Sequence, residues 1–543
     1  MRTIRAGRPC RCPARRRRCL RRGCCIFRSA RSCGARRGFP RKGSPVTVRY
    51  VIALDQGTTS SRAMLVDADG RVVDAVQNPF PQRYPQPGWV EHDPLDILSS
   101  QLGALAELTV SHGLGPADID AIGITNQRET TVVWNRETGR PVGNAIVWQC
   151  RRTAPIVEEL CGDAAVARRI ADTTGLVPDA YFSASKVKWL LDNVPGARAD
   201  AEAGKLAFGT VDSWLVWSLT DGQVHATDVT NASRTMLYDI HEMRWDPWLL
   251  DLFGIPASML PDVRPSSADY GVTANPGVVR GVPIRGVAGD QQAALFGQCC
   301  FEAGQAKNTY GTGCFLLMHT GREACRSTHR LVTTLAASAP GAPGPEYALE
   351  GSVFMAGALL QWLRDELGLI DDVAETCAIA RSVPDTGGVY VVPAFTGLGA
   401  PYWDAEARGA IYGLTRGTNR AHIVRAALES LAYQVHDLAV AMEADAGMPL
   451  KVLKVDGGAS ANDFLMQFQS DLLRTPLHRP QNTETTALGA AYLAGLGTGF
   501  WEDTARLADL RSSDTVYAPG MEDARHARLL EGWARAVRRT MVP

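Results

Sequence analysis

The 543-residue chain lacks any run of 18 apolar residues, so nothing in it reads as a membrane span. No CxxC spacing occurs among its 13 cysteines, which argues against a zinc site. It has no Gly-x-x-x-x-Gly-Lys-Ser/Thr string. The single Gly-Lys pair, Gly204-Lys205, is followed by Leu206, so P-loop chemistry is excluded. Residues 1–45 lack Asp and Glu but hold 15 Arg and one Lys. Without those 16 cations, 41 Lys and Arg face 57 Asp and Glu, a net of −16. The body of the chain is therefore acidic, which argues against nucleic acid as a main partner. Six cysteines lie in the first 45 residues; the remaining seven are sparse and unpatterned, which fits a reducing, cytoplasmic compartment.

The segment 1–45 offers little apolar surface to bury and is expected to be disordered. It reads as a basic arm, a targeting segment, or sequence upstream of the true start. It has no apolar core of a secretory signal, and it is Cys- and Pro-rich where transit peptides are Ser-rich. The change of composition at Val46-Thr47-Val48 favours the third reading.

What is present begins with a turn. Asp55-Gln56-Gly57-Thr58-Thr59-Ser60-Ser61-Arg62 lies between two apolar runs, so it reads as a hairpin with a carboxylate at the end of its first strand. Gly57 and the hydroxyls after it leave N–H groups and small donors at the tip, as a phosphate cradle needs. Asp55 could hold a hydrated Mg²⁺ beside it. A polar-tipped hairpin with no ligand is the plain alternative. The pattern recurs, however, at Asn308-Thr309-Tyr310-Gly311-Thr312-Gly313-Cys314-Phe315. Ile119–Thr125 and Val452–Gly458 are a further matched pair, each a strand running into a polar turn. Two halves, 46–299 and 300–543, with corresponding hairpins suggest a duplicated α/β domain holding a nucleotide between its copies.

Helices are expected from Pro94 to about Val110 and over Tyr181–Leu191, Gln291–Phe296, Phe354–Leu367, Arg420–Ala444, Asp463–Leu473, Ala487–Leu496 and Met521–Thr540. A short apolar strand, Ile284–Ala288, ends at Gly289-Asp290. Asp290 there either caps the following helix or accepts a proton from an attacking hydroxyl. Arg128-Glu129 follows a strand. The pair is either solvated surface or a donor fork beside a two-oxygen acceptor suited to vicinal hydroxyls.

Six strings carry a resemblance: DQGTTSSR from Asp55, TNQRETTVVW from Thr125, YFSASKVKWLL from Tyr181, GDQQAALFGQ from Gly289, NTYGTGCF from Asn308 and DGGASANDFLMQFQSDLL from Asp456. In this order they resemble the FGGY carbohydrate kinase family, from about Val48 to Pro543. The resemblance implies two ribonuclease-H-like (actin-like ATPase) domains with the active site in the interdomain cleft. It implies ATP-dependent phosphorylation of glycerol, with Mg²⁺, as the first step of glycerol breakdown. Asp290 would be the general base. Arg128, Glu129, Tyr181 and Gln291 would hold glycerol's hydroxyls, and Trp148 and Phe315 would wall its carbon backbone; core packing is the plain alternative for those two rings. Thr58, Thr59, Ser60, Arg62, Thr312, Gly313, Gly357, Gln361, Gly458 and Asn462 would contact the nucleotide, and Asp55 with Asp290 would hold the metal. A homodimer or homotetramer is expected by analogy. Another polyol or ketose kinase of the family, or a non-metabolic actin-like ATPase, are the competing readings. Some bacterial members bind fructose 1,6-bisphosphate through a Gly-rich loop ending in Arg. Here Gly281 stands at the Arg position, with Arg280 one place off, so that site looks altered.

Overall fold

The computed structural model describes residues 49–511 and 514–541. The expectations for residues 1–45 lie outside the described residues. Residues 50–79 fold into three antiparallel strands, β1 (Tyr50–Gln56), β2 (Ser60–Val66) and β3 (Val72–Pro79). The first two are almost wholly buried, whereas β3 alternates half-buried with exposed positions, as an edge strand does. Helix α1 (Pro94–Ser111) packs on β2 and β3. Asp93 starts it by accepting the Leu95 N–H at 2.9 Å, and Pro94 supplies a pre-set first residue. Strand β4 (Ile119–Asn126) is buried along its whole length and runs parallel to β1; β5 (Ile284–Gly289) adds parallel to β4. The order is β5-β4-β1-β2-β3.

The second half repeats this plan. Strands β6 (Gln305–Tyr310), β7 (Cys314–Gly321), β8 (Val332–Leu335), β9 (Tyr347–Val353), β10 (Val452–Asp456), β11 (Leu477–Arg479) and β12 (Thr515–Tyr517) form a sheet of order β8-β9-β7-β6-β10-β11-β12. Its β6–β7 hairpin, antiparallel β9 and parallel β10 and β11 match β1–β2, β3, β4 and β5. The two hairpins singled out in the sequence thus occupy equivalent places in two like sheets.

Between β4 and β5 the chain makes a run of short helices, including Ala154–Cys161, Ala164–Thr174, Ser183–Asn193, Val211–Leu219 and Pro247–Phe253. Only the third was expected. The others span few turns, so their apolar periodicity is short and their ends depend on local caps such as Asp163 and Asp246.

Helix α2 (Asp290–Gly297) follows β5, and Leu295 on it packs with Leu317 and Ala348 of the second sheet. Helix α3 (Gly357–Asp365) starts three residues later than expected. The Ala356 and Gly357 N–H groups bond the Thr312 and Gly311 carbonyls at 2.9 Å, which holds the preceding residues out of the helix. Helices α4 (Arg420–Ala446) and α5 (Asp463–Leu473) cover the second sheet. Helix α6 (Thr485–Thr498) does not. It returns to the first half and packs on β1, β4, β5 and α2. Its approach is so close that a Cβ on Gly123 would lie 2.0 Å from the Ala490 carbonyl oxygen, and one on Gly489 1.9 Å from that of Ala293. A cut at residue 299/300 therefore separates the sheets but not the helices that cover them. Among the described residues no helix is long and apolar enough to cross a membrane.

Candidate active site

The first turn, Gln56 to Ser60, closes with the Gly57 N–H on the Ser60 carbonyl at 3.0 Å. It is held from below by the Gln127 N–H on the Gln56 carbonyl at 2.8 Å, and from the side by Trp148 Nε1, which donates to Thr58 Oγ1 at 3.1 Å. Arg62 lies opposite Asp55 across the hairpin. Its guanidinium pairs with Glu484, just before α6, and donates to Gln77 at 3.0 Å. The second turn is closed by the Gly311 N–H on the Gly313 carbonyl at 2.8 Å. Gly313 allows close passage: a Cβ there would sit 2.3 Å from the Val353 carbonyl oxygen. Gly357 sits against this turn at the start of α3. Gly457, at φ 83°, presses on Tyr310, so Gly458 begins its helical turn beside the same hairpin. Asn462 caps α5 by accepting the Leu465 N–H at 3.1 Å and donates to Thr376 Oγ1 at 3.0 Å. Gln361 is exposed on α3, and Thr59 and Thr312 are exposed at their turn tips.

A different chemistry sits at the ends of β4 and β5. Arg128 and Glu129 are buried, not surface charges. Glu129 adopts φ 58°, a left-handed conformation rare for a side-chain-bearing residue and characteristic of sites whose surroundings enforce it. Its carbonyl accepts from Ser183 Oγ at 3.0 Å and Thr131 Oγ1 at 3.1 Å. Arg128 Nε lies 3.1 Å from Asp290 Oδ1. Asp290 opens α2 and also accepts the Gln291 N–H at 2.7 Å. Asp290 is nevertheless not the cap: that position is Gly289, which makes no side-chain cap bond, and Asp290 is the first residue inside the helix. Its side chain is 32% exposed, against 2% for Arg128, so one side of the carboxylate faces open space. Gln291 Oε1 accepts from Lys307, which is buried on β6 and also donates to Thr309 Oγ1 at 3.0 Å. Trp148 and Tyr181 meet edge to face, with ring centroids 5.5 Å apart. Phe315 lies on β7 opposite Ser352, on the sheet face that also carries Glu350.

Electrostatics separate these groups. Burial pushes the Asp55 carboxyl up to about 6; Arg62 opposes the rise, and Asp290 and Glu484 add to it. Burial also raises Glu129, against the pull of Arg234 and Arg128. Burial would raise Glu350 as well, but Arg128 and Arg234 outweigh it and hold that carboxyl down at about 2. Tyr181 is raised, by burial first and then by Glu129, and so stays a neutral hydroxyl at physiological pH.

A hard dication fits beside Asp55. The groups there are oxygen donors, and a cation would offset the burial that chiefly lifts Asp55 and the lesser push of Asp290 and Glu484. No three His, Cys, Asp or Glu side chains among the described residues could hold a metal ion together.

The geometry thus joins Asp55, Thr58 and Arg62 on the first turn, where Trp148 bonds Thr58, and Arg128 with Asp290 and its neighbour Gln291, while Glu129 and Arg128 lie near Tyr181. Thr312, Gly313, Gly357 and Gly458 form a separate group around the second turn. Sequence reasoning missed Arg234, Lys307, Glu350 and Glu484. A signal existed for two of them: Lys307 and Glu350 are lone charges inside otherwise buried strands, and buried charges are paired.

Residues 50–297 match the N-terminal domain, and residues 306–498 the C-terminal domain, of the FGGY family of carbohydrate kinases. A glycerol kinase of Carboxydothermus hydrogenoformans is 60% identical over 496 residues, covering 91% of this chain and 98% of that protein. One of Symbiobacterium thermophilum is 61% identical over 490 residues, covering 90% and 98%. The crystal structure of Plasmodium falciparum glycerol kinase with ADP superimposes with a TM-score of 0.87 at 38% identity, covering 91% of this chain and 99% of that one.

Proposed function

The chain belongs to the FGGY family of carbohydrate kinases, and on that premise we propose that it transfers the γ-phosphoryl group of ATP to a terminal hydroxyl of glycerol, giving sn-glycerol 3-phosphate. Arg128 and Glu129 present a cationic donor and a two-oxygen acceptor to adjacent hydroxyls, and Tyr181 adds a neutral hydroxyl. The Trp148 ring, with Phe315 from the second sheet, encloses the carbon backbone. Asp290, with one face open and the other anchored at 3.1 Å to Arg128 Nε, takes the proton from the attacking hydroxyl. The two turns bracket the triphosphate with backbone N–H groups and hydroxyls, so that the nucleophile and the leaving group lie in line. Gly357, Gln361, Gly458 and Asn462 lie toward the rest of the nucleotide. Asp55 and Asp290 would hold Mg²⁺, which when bound neutralises charge on the γ-phosphate. The two sheets serve as the two lobes, 46–299 and 300–543, with α6 returned to the first.

The observation that carries this reading is the pairing of a buried Arg128-Glu129 clamp with a partly exposed Asp290 at the head of α2. We place the enzyme in the cytoplasm, where ATP is available, and take fructose 1,6-bisphosphate not to act through the loop 275–283. Gly281 there has φ 83°, a conformation an Arg would adopt only under strain. ADP release with MgATP and a panel of glycerol, dihydroxyacetone, erythritol and xylulose tests the proposal. Glycerol should give the highest kcat/KM. A higher value for xylulose or erythritol would reassign the substrate, and polyol-independent turnover would remove the kinase reading.

A further inference from the structure

Two buried side chains stand behind the substrate-facing pair. Glu350 lies in β9 of the second sheet and is 4% exposed. Its two carboxylate oxygens accept from Arg128, Nη1 at 2.6 Å and Nη2 at 2.8 Å. Arg234, just past the short helix Val229–Ala232, is 2% exposed. It donates Nε to Glu129 Oε1 at 2.6 Å and Nη2 to Glu350 Oε1 at 3.4 Å. Its guanidinium carbon lies 5.3 Å from the Phe182 ring centroid, and its Nη1 is buried without a partner. With the Arg128–Asp290 contact the charges alternate along one line: Asp290, Arg128, Glu350, Arg234, Glu129.

We propose that Glu350 and Arg234 are positioning residues, which act through this alternating chain to fix the donor and the acceptor offered to the polyol. The proposal rests on the reading that Arg128 and Glu129 bind the substrate's hydroxyls. Glu350 takes one N–H from each terminal nitrogen of Arg128, Nη1 gives a second to Gln292 Oε1 at 3.0 Å, and Nε faces Asp290. Without it the guanidinium fork is free to engage Asp290 through two parallel hydrogen bonds and blunt the base. Arg234 supplies the nearest cation to Glu129 and so favours the ionised form of that acceptor against its burial. Because Glu350 belongs to the second sheet and Glu129 to the first, the hydroxyl clamp is in register only when the two sheets are seated together.

The groups facing Glu129 are Arg128 beside it, Arg234, Glu350 from β9, and Tyr181 and Lys186 at the helix Ser183–Asn193. Of these, Arg234 makes the shortest charged contact. The test uses Glu350→Gln, Arg234→Met and Arg234→Lys, with Arg128→Ala as the reference. Steady-state kinetics are measured against pH at saturating MgATP, and ATP affinity is measured separately. Glu350→Gln should raise KM for glycerol by about tenfold or more while ATP affinity stays within about twofold. Arg234→Met should move the acid limb of kcat/KM for glycerol upward by about one pH unit, because the acceptor is then harder to ionise. Arg234→Lys, which restores a cation, should bring the limb back toward wild type. A merely structural role would lower activity at every pH without moving the limb. Folded Glu350→Gln and Arg234→Met proteins with wild-type KM for glycerol and an unmoved limb overturn the proposal. If Arg128→Ala keeps wild-type KM as well, it is the substrate reading that falls instead. Should Glu350→Gln not fold, the contrast between Arg234→Met and Arg234→Lys decides the matter by the pH profile alone.

Discussion

The two groups of site residues are built from opposite materials. The proposed polyol side is a set of buried charges, Arg128, Glu350, Arg234 and Glu129, each tied to the next by hydrogen bonds of 2.6 to 3.4 Å. The proposed nucleotide side is mostly glycine, hydroxyl and backbone on two turn tips, with Thr59 and Thr312 exposed. The difference follows from what each is proposed to bind. A small neutral polyol offers only hydroxyls, so specificity requires oriented donors and acceptors away from water. A triphosphate brings its own charge, and a concave set of N–H groups that can approach closely is enough. Substitutions should therefore act differently on the two sides.

The largest effect is expected where the sides meet. Asp290→Asn should lower kcat by at least ~10²-fold with glycerol binding largely retained, measured by single-turnover kinetics and a glycerol isotherm. Near-wild-type turnover would remove Asp290 from the base role. On the nucleotide side, Gly313→Ala places a Cβ 2.3 Å from the Val353 carbonyl and must displace the turn. KM for ATP should rise about tenfold or more, and glycerol affinity should hold. Equal loss of both affinities would dissolve the contrast between the sides. Next comes pH. Asp55, lifted to about 6, is ionised above that value and must shed a proton to hold a cation below it. MgATP affinity, read by calorimetry, should therefore fall by up to about tenfold per unit below pH ~6, and Asp55→Asn should flatten that dependence. The smallest effect sharpens the border itself. Trp148→Phe keeps a ring beside Tyr181 but loses the 3.1 Å bond to Thr58 Oγ1. Losing that bond should cost about 1 kcal/mol, a several-fold rise in KM for ATP that a Thr58→Val background largely abolishes.

The nucleotide side was the more legible of the two in the sequence. Gly57, Gly313 and the hydroxyls beside them lie in hairpins whose flanking strands alternate or run apolar, and such signals are local. Asp290 was legible because a short apolar strand leads directly to it. Arg128-Glu129 could be located but not interpreted from spacing alone, since adjacent opposite charges are usually solvated; burial decides the case. Glu350 is separated from Arg128 by 222 residues and Arg234 from Glu129 by 105, so no local pattern joins them. The small-residue helix Thr485–Thr498 reads as a helix of the second half, yet it completes the first. Nothing in its own sequence says which sheet its glycines will meet.

Two hairpins and two parallel strands behind them were determined by the sequence itself, because turn chemistry and strand periodicity are properties of neighbouring residues; the family was legible through the resemblance of whole strings such as DQGTTSSR and GDQQAALFGQ. The tertiary structure alone decided which charges face each other and which sheet a helix covers. Such pairings depend on where distant segments are brought together, and a buried charge takes its ionisation and its orientation from those partners rather than from its neighbours in the chain.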